Sequence, residues 1–176
     1  MLTKDENELL TRVEGTAPMG ALMRRHWVPA LLLEQVAVPD CDPVRVRLFG
    51  EDLVAFRDTN GRLGLIGEFC AHRKASLAFG RNEDCGLRCL YHGWKFDVEG
   101  NILEMPSEPR ESSLANKVKH KAYPVREAGG FVWATWGRPS TCRRSRRHLG
   151  HRPRRPRYRS HAGTCPATGL RLPRDR

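Results

Sequence analysis

The sequence predicts a mainly β fold: an antiparallel sandwich with short N-terminal helices and a disordered basic tail. Three observations carry that prediction. Apolar and polar residues alternate at a period of two in several short runs after Val44. Tight-turn residues, among them Asn60-Gly61 and Gly129-Gly130, separate those runs. The charge balance then changes abruptly near residue 137, with 18 Lys+Arg against 19 Asp+Glu before it and 13 Arg against the single acid Asp175 after it.

In chain order, Thr3-Lys4-Asp5-Glu6 has the pattern of a capping box, and Leu9, Leu10 and Val13 follow at helical spacing. A short amphipathic helix is expected over about residues 4–13. A second begins near Thr16 with Pro18 in its first turn; it is expected to pack Met19, Leu22 and Met23 inward, with Arg24 and Arg25 facing out, and to end at Pro29. From Val44 the reading is β. Val44, Val46 and Leu48 alternate with Arg45 and Arg47, Leu53-Val54-Ala55-Phe56 follows a turn at Gly50, and Leu63-Gly64-Leu65-Ile66 follows Asn60-Gly61. Further strands are expected at Trp94–Val98, Ile102-Leu103, Tyr123–Val125 and Phe131–Ala134. The organisation expected is a helical segment over 1–40, a β domain over 41–137 and an Arg/Pro-rich tail over 138–176.

The formal net charge of +11 resides in the tail, because the body carries a net charge near zero. From Ser140 onward there is no Val, Ile, Phe, Met, Trp, Glu, Asn or Gln. Such a segment lacks the apolar content to order itself. Its composition is that of out-of-frame translation of a GC-rich gene; a basic arm is the other reading, and without an aromatic stacking platform no specific nucleic-acid binding is expected. No apolar run approaches the ~18 residues of a membrane span, and the first six residues are too polar and acidic for a secretory signal, so a cytoplasmic location is expected. Of six cysteines, Cys70 and Cys89 have metal-ligand spacing, Cys142 and Cys165 lie in the tail, and Cys41 and Cys85 show no partner.

Cys70-Ala71-His72 and Cys89-Leu90-Tyr91-His92 stand sixteen residues apart, each supplying one thiolate and one imidazole. Two Cys and two His also make a zinc set, although common zinc modules pair Cys with Cys and His with His. In a Rieske centre two Cys bind one iron and two His the other, so each loop must give one ligand to each iron. A mixed pair of loops suits that requirement.

Glu68-Phe69-Cys70-Ala71-His72-Arg73 and Leu87-Arg88-Cys89-Leu90-Tyr91-His92-Gly93-Trp94-Lys95-Phe96-Asp97 resemble the Rieske domain of non-haem iron aromatic-ring oxygenases. With Met105-Pro106-Ser107-Glu108-Pro109, Leu2-Thr3-Lys4 and Pro18-Met19-Gly20, the likeness is to oxygenase components of the phthalate 4,5-dioxygenase group and extends to about residue 137. The resemblance implies a Rieske-type sandwich, a [2Fe–2S] cluster on Cys70, His72, Cys89 and His92, and electron transfer from a reductase or ferredoxin donor. It also implies a homotrimer in the full-length family and a second domain holding a mononuclear Fe(II) on two His and a carboxylate. Nothing after residue 137 resembles that domain; His148, His151 and His161 lie among Arg and Pro. The expectation is therefore the electron-transfer part of an oxidoreductase of aromatic compound catabolism, without catalysis of its own; a free-standing Rieske ferredoxin is the rival.

Two departures from the family pattern stand out: Ala71 replaces a Pro, and Lys74 replaces a Gly. Lys74 would cost about 1–2 kcal/mol if that position needs positive φ. High-potential Rieske proteins carry extra loop cysteines and a Ser beyond the last His, where this chain has Ala75, Tyr91 and Trp94. A potential near the low end of the Rieske range, roughly −150 mV, is expected. Trp94 and Phe96 are expected to be packing residues beneath the loops.

Overall fold

The computed structural model describes residues 1–109 and 112–137. The tail expected at 138–176 lies outside the described residues. Helix α1 (Lys4–Thr11) begins at the capping box: Thr3 Oγ1 accepts from the Glu6 N–H at 3.3 Å, and Glu6 Oε2 accepts from the Thr3 N–H at 2.8 Å. It buries none of its residues, so the packing face expected on Leu9 and Leu10 is left exposed. Helix α2 (Pro18–Met23) starts with Pro at its first position.

The expected facing of α2 holds at Met19, which is half-buried, and at Arg25, which is exposed, and fails at the other three positions. Leu22 and Met23 are exposed, whereas Arg24 turns inward to donate to the carbonyls of Val13 and Phe49, each at 3.0 Å, and to pair with Glu51 at 3.4 Å. Its guanidinium also lies 5.1 Å from the centroid of the Phe49 ring. A six-residue helix is too short to bury a stripe, and a carboxylate, two carbonyls and an aromatic face offer an arginine more than they offer a leucine.

Among the described residues ten strands follow in three antiparallel sheets. The first sheet, in the order β1-β10-β9, joins β1 (Val28–Leu32), β10 (Phe131–Ala134) and β9 (Val125–Ala128). The second, β2-β3-β4, is built from β2 (Val44–Leu48), β3 (Glu51–Arg57) and β4 (Leu63–Gly67). The third, β5-β6-β7-β8, holds β5 (Arg81–Glu83), β6 (Gly86–Arg88), β7 (Lys95–Phe96) and β8 (Ile102–Glu104). A four-residue helix α3 (Leu114–Lys117) lies between β8 and β9. Strand β1 falls within the segment expected to be helical; it pairs with β10, so the chain enters the sheet system before residue 41.

Two cores lie on opposite faces of the second sheet. Leu53 and Ala55 of β3 and Leu65 of β4 enter one, with Leu31, Val36, Val46, Tyr123, Val132 and Ala134. Val54 and Phe56 of β3 and Ile66 of β4 enter the other, with Leu77, Leu87, Trp94, Phe96 and both Cys70 and Cys89. This explains why Leu53–Phe56 reads as a continuous apolar run: covered on both faces, the strand cannot alternate with polar residues. Fully burying each large side chain contributes roughly 1.5–3 kcal/mol.

Glu51, at the start of β3, ties the hairpin of helices to the far end of the fold. Its carboxylate accepts from Arg24, from Lys121 Nζ at 2.5 Å, from the Tyr123 hydroxyl and from Trp136 Nε1 at 2.9 Å. Cys41, Cys70 and Cys89 are free thiols. Among the described residues no helix is long and apolar enough to cross a membrane.

Candidate metal centre

Two loops project from neighbouring sheets, one between β4 and β5 and one between β6 and β7. Their backbones repeat one arrangement. In the first, the Cys70 N–H donates to Ala75 O at 2.9 Å and the Lys74 N–H to Cys70 O at 3.0 Å; in the second, the Cys89 N–H donates to Trp94 O at 2.8 Å and the Gly93 N–H to Cys89 O at 3.1 Å. The residue four places after each cysteine takes a left-handed conformation, φ +56° at Lys74 and +73° at Gly93. The positive φ expected to penalise Lys74 is therefore present.

Each loop is clamped at its base by an arginine and carboxylates. In the first, Glu68 Oε1 accepts from Ser76 Oγ at 2.6 Å and from Arg45 Nε at 2.9 Å. Arg45 also lies over the Phe79 ring at 4.6 Å. In the second, Arg88 pairs with Glu83 at 2.6 Å and Glu104 at 2.8 Å, and its third nitrogen donates to Gly93 O at 3.1 Å. Lys95, buried next to the loop, pairs with the same Glu104. Burial works against the Arg88 charge, but the two carboxylates outweigh it and raise the guanidinium above its ordinary value.

The four expected ligands meet as two like pairs. Cys70 and Cys89 are 1% and 3% exposed and lie together in the second core. Burial pushes the Cys70 thiol up to about 11; the backbone N–H groups of His72 and Arg73 work against this, and the adjacent Cys89 sulfur adds to it. A buried thiol raised in this way ionises when positive charge is placed beside it, which a metal centre supplies. His72 and His92 face one another edge-on, ring centroids 4.6 Å apart at 64°. The His92 imidazole is held below its ordinary value by loss of solvation and by the charges of His72 and Arg73.

His72 Nδ1 is buried without a hydrogen-bond partner. A buried imidazole nitrogen left unpaired in this way calls for an occupant. Among the described residues no three His, Cys, Asp or Glu side chains form a group that could hold one metal ion; the two cysteines share the second core and the two imidazoles face each other. A two-iron core takes thiolates on one iron and imidazoles on the other.

Trp94 is packing, as expected, but in a particular form: its indole lies parallel to the His72 ring, 4.8 Å away at 4°. The clamps at Glu68, Ser76, Glu83 and Glu104 went unread in the sequence. Charged residues next to a ligand loop look like solvated surface until their partners on other strands are known.

A family model described as the Rieske [2Fe-2S] domain matches residues 26–129. The phthalate 4,5-dioxygenase oxygenase subunit of Pseudomonas putida is 66% identical over 137 residues, covering 78% of this chain and 31% of that protein. The crystal structure of dicamba monooxygenase bound to dicamba superposes with a TM-score of 0.59 at 25% identity, over 68% of this chain and 34% of that one. An oxygenase–ferredoxin complex of carbazole 1,9a-dioxygenase, its oxygenase carrying one Ile-to-Leu replacement, superposes with a TM-score of 0.56 at 29% identity, over 65% of this chain and 29% of that one. The chain thus spans about a third of the length of the proteins it matches. The matched segment contains both cysteine–histidine loops and all three sheets up to the turn before β10, and on that ground the chain belongs to the Rieske [2Fe–2S] domain family.

Proposed function

We propose that Cys70 and Cys89 ligate one iron, and His72 and His92 the other, of the [2Fe–2S] cluster. On this reading the domain is the cytoplasmic electron-transfer module of an aromatic-ring-hydroxylating oxygenase component. The observation that carries it is the pairing of two buried thiols opposite two imidazoles, one with an orphaned Nδ1. Bound there, the cluster supplies one-electron transfer.

The chain's own part is positional. The thiols are sealed from water by the second core, and the two arginine–carboxylate clamps hold the loop bases. Rigid loops keep the ligand atoms in place as the charge changes, which lowers the cost of reorganisation. At the tip of the second loop Leu90 and Tyr91 are exposed. An apolar tip above a redox centre suits brief docking of a reductase or ferredoxin. The likeness to phthalate 4,5-dioxygenase supports an aromatic substrate for the whole enzyme.

Anaerobic reconstitution with iron and sulfide tests the ligand assignment. The expected product is a coloured protein with a rhombic EPR signal after one-electron reduction, lost in Cys70→Ser and in His92→Ala. A colourless, EPR-silent wild-type chain, or variants indistinguishable from it, would sink the assignment.

A further inference from the structure

Metal-bound histidines are usually oriented by a hydrogen bond from the second ring nitrogen to a carboxylate or carbonyl. Among the described residues His72 donates no such bond. What it has is Trp94, parallel at 4° and 4.8 Å. Trp94 is 3% exposed, and its Nε1–H donates to Ser107 Oγ at 2.9 Å, which fixes the indole against rotation. Phe96 backs it, with ring centroids 6.4 Å apart. His92 meets His72 edge-on.

A stack restrains a ring in a way a hydrogen bond does not. It fixes the plane while leaving the in-plane lone pairs untouched, and the in-plane Nδ1 of His72 is the buried atom left unpartnered. It also keeps water from one face of the imidazole. We propose that Trp94, anchored by Ser107, is the positioning residue for His72: it sets the imidazole plane relative to the iron and shields that ligand from solvent, and so tunes the reduction potential. This rests on His72 being a ligand. Reduction adds negative charge, which hydration favours, so removing the indole raises the potential.

The test uses the full chain, reconstituted and reduced, with pulsed EPR of the imidazole nitrogens and a redox titration. In Trp94→Leu one of the two nitrogen couplings shifts and broadens while the other stays, and the reduction equilibrium constant rises at least threefold, about 28 mV at 59 mV per tenfold. Trp94→Phe keeps an aromatic face and restores most of both. Ser107→Ala, which leaves the core intact, broadens the same coupling to a smaller degree. Unchanged couplings and potential in Trp94→Leu overturn the proposal, as does an equal change in both couplings, which marks general loosening. Should Trp94→Leu fail to fold, Ser107→Ala decides, and an unbroadened coupling there overturns it. A wild-type protein that loads iron but shows no coupling to two imidazoles overturns the ligand assignment instead.

Discussion

Lys74 and Gly93 hold the same place in two loops of matching backbone, and only one of them is suited to it. A left-handed φ costs an L-residue with a side chain about 1–2 kcal/mol, part of which glycine gives back through its freer unfolded chain. Lys74→Gly is therefore expected to stabilise the domain by about 0.5–1 kcal/mol in denaturant unfolding and to raise iron retention after reconstitution. Gly93→Ala should do the reverse, losing about 1–2 kcal/mol, since its new Cβ would also meet Pro106 Cγ at 3.2 Å. If the two substitutions move stability the same way, the loops are not equivalent. The two Cys–His pairs and the Lys74 departure were legible in the sequence because residue type and spacing declare them. The Trp94–His72 stack was not, because twenty-one residues intervene and nothing in either residue announces the other.

At the scale of elements, strand β2 follows from alternation, β3 and β4 from short apolar runs bounded by turns, and the hairpin of β9 and β10 from Gly129-Gly130. Strand β1 escaped notice: Val28-Pro29-Ala30-Leu31-Leu32 contains a proline, does not alternate, and pairs with a strand about a hundred residues away. The inward turn of Arg24 was hidden for a similar reason, since its acceptors lie beyond the helix. The second loop depends on the strands around it through Arg88, whose guanidinium joins β5, β8 and the loop carbonyl of Gly93. Arg88→Ala takes the side-chain donor from the Gly93 carbonyl and one of two cationic partners from each of Glu83 and Glu104, and should cost about 1–3 kcal/mol. Its sharper signature is faster iron loss to a chelator, with Arg88→Lys intermediate because an ammonium cannot reach all three acceptors in a fixed fork. Equal release rates in Arg88→Ala and wild type would show that the loop holds itself.

Across the whole molecule, Glu51 links the helices, the central sheet and the segment after β10. Burial tends to raise its carboxyl, but donors from Lys121, Tyr123 and Trp136 outweigh this and hold it below the ordinary value of 4.5. A depressed carboxyl contributes stability that is complete above the unfolded value and is lost as pH falls through the folded one. Glu51→Gln is expected to cost about 1–2 kcal/mol at pH 7 and to flatten the loss of stability below pH 4.5; a variant with the same acid profile as wild type would remove Glu51 from that role. The two-sided burial of β3 has a different consequence. Most strands are kept from sliding by one residue because the slip would drive polar side chains into the interior. Here a slip would exchange Leu53 and Ala55 for Val54 and Phe56, oil for oil, so greasiness alone cannot tell the correct alignment from its neighbour. What locks it must be the ends: the Arg47–Asp52 ion pair at one turn, and at the other Asp58, whose carboxylate takes both the backbone and the side chain of Arg62.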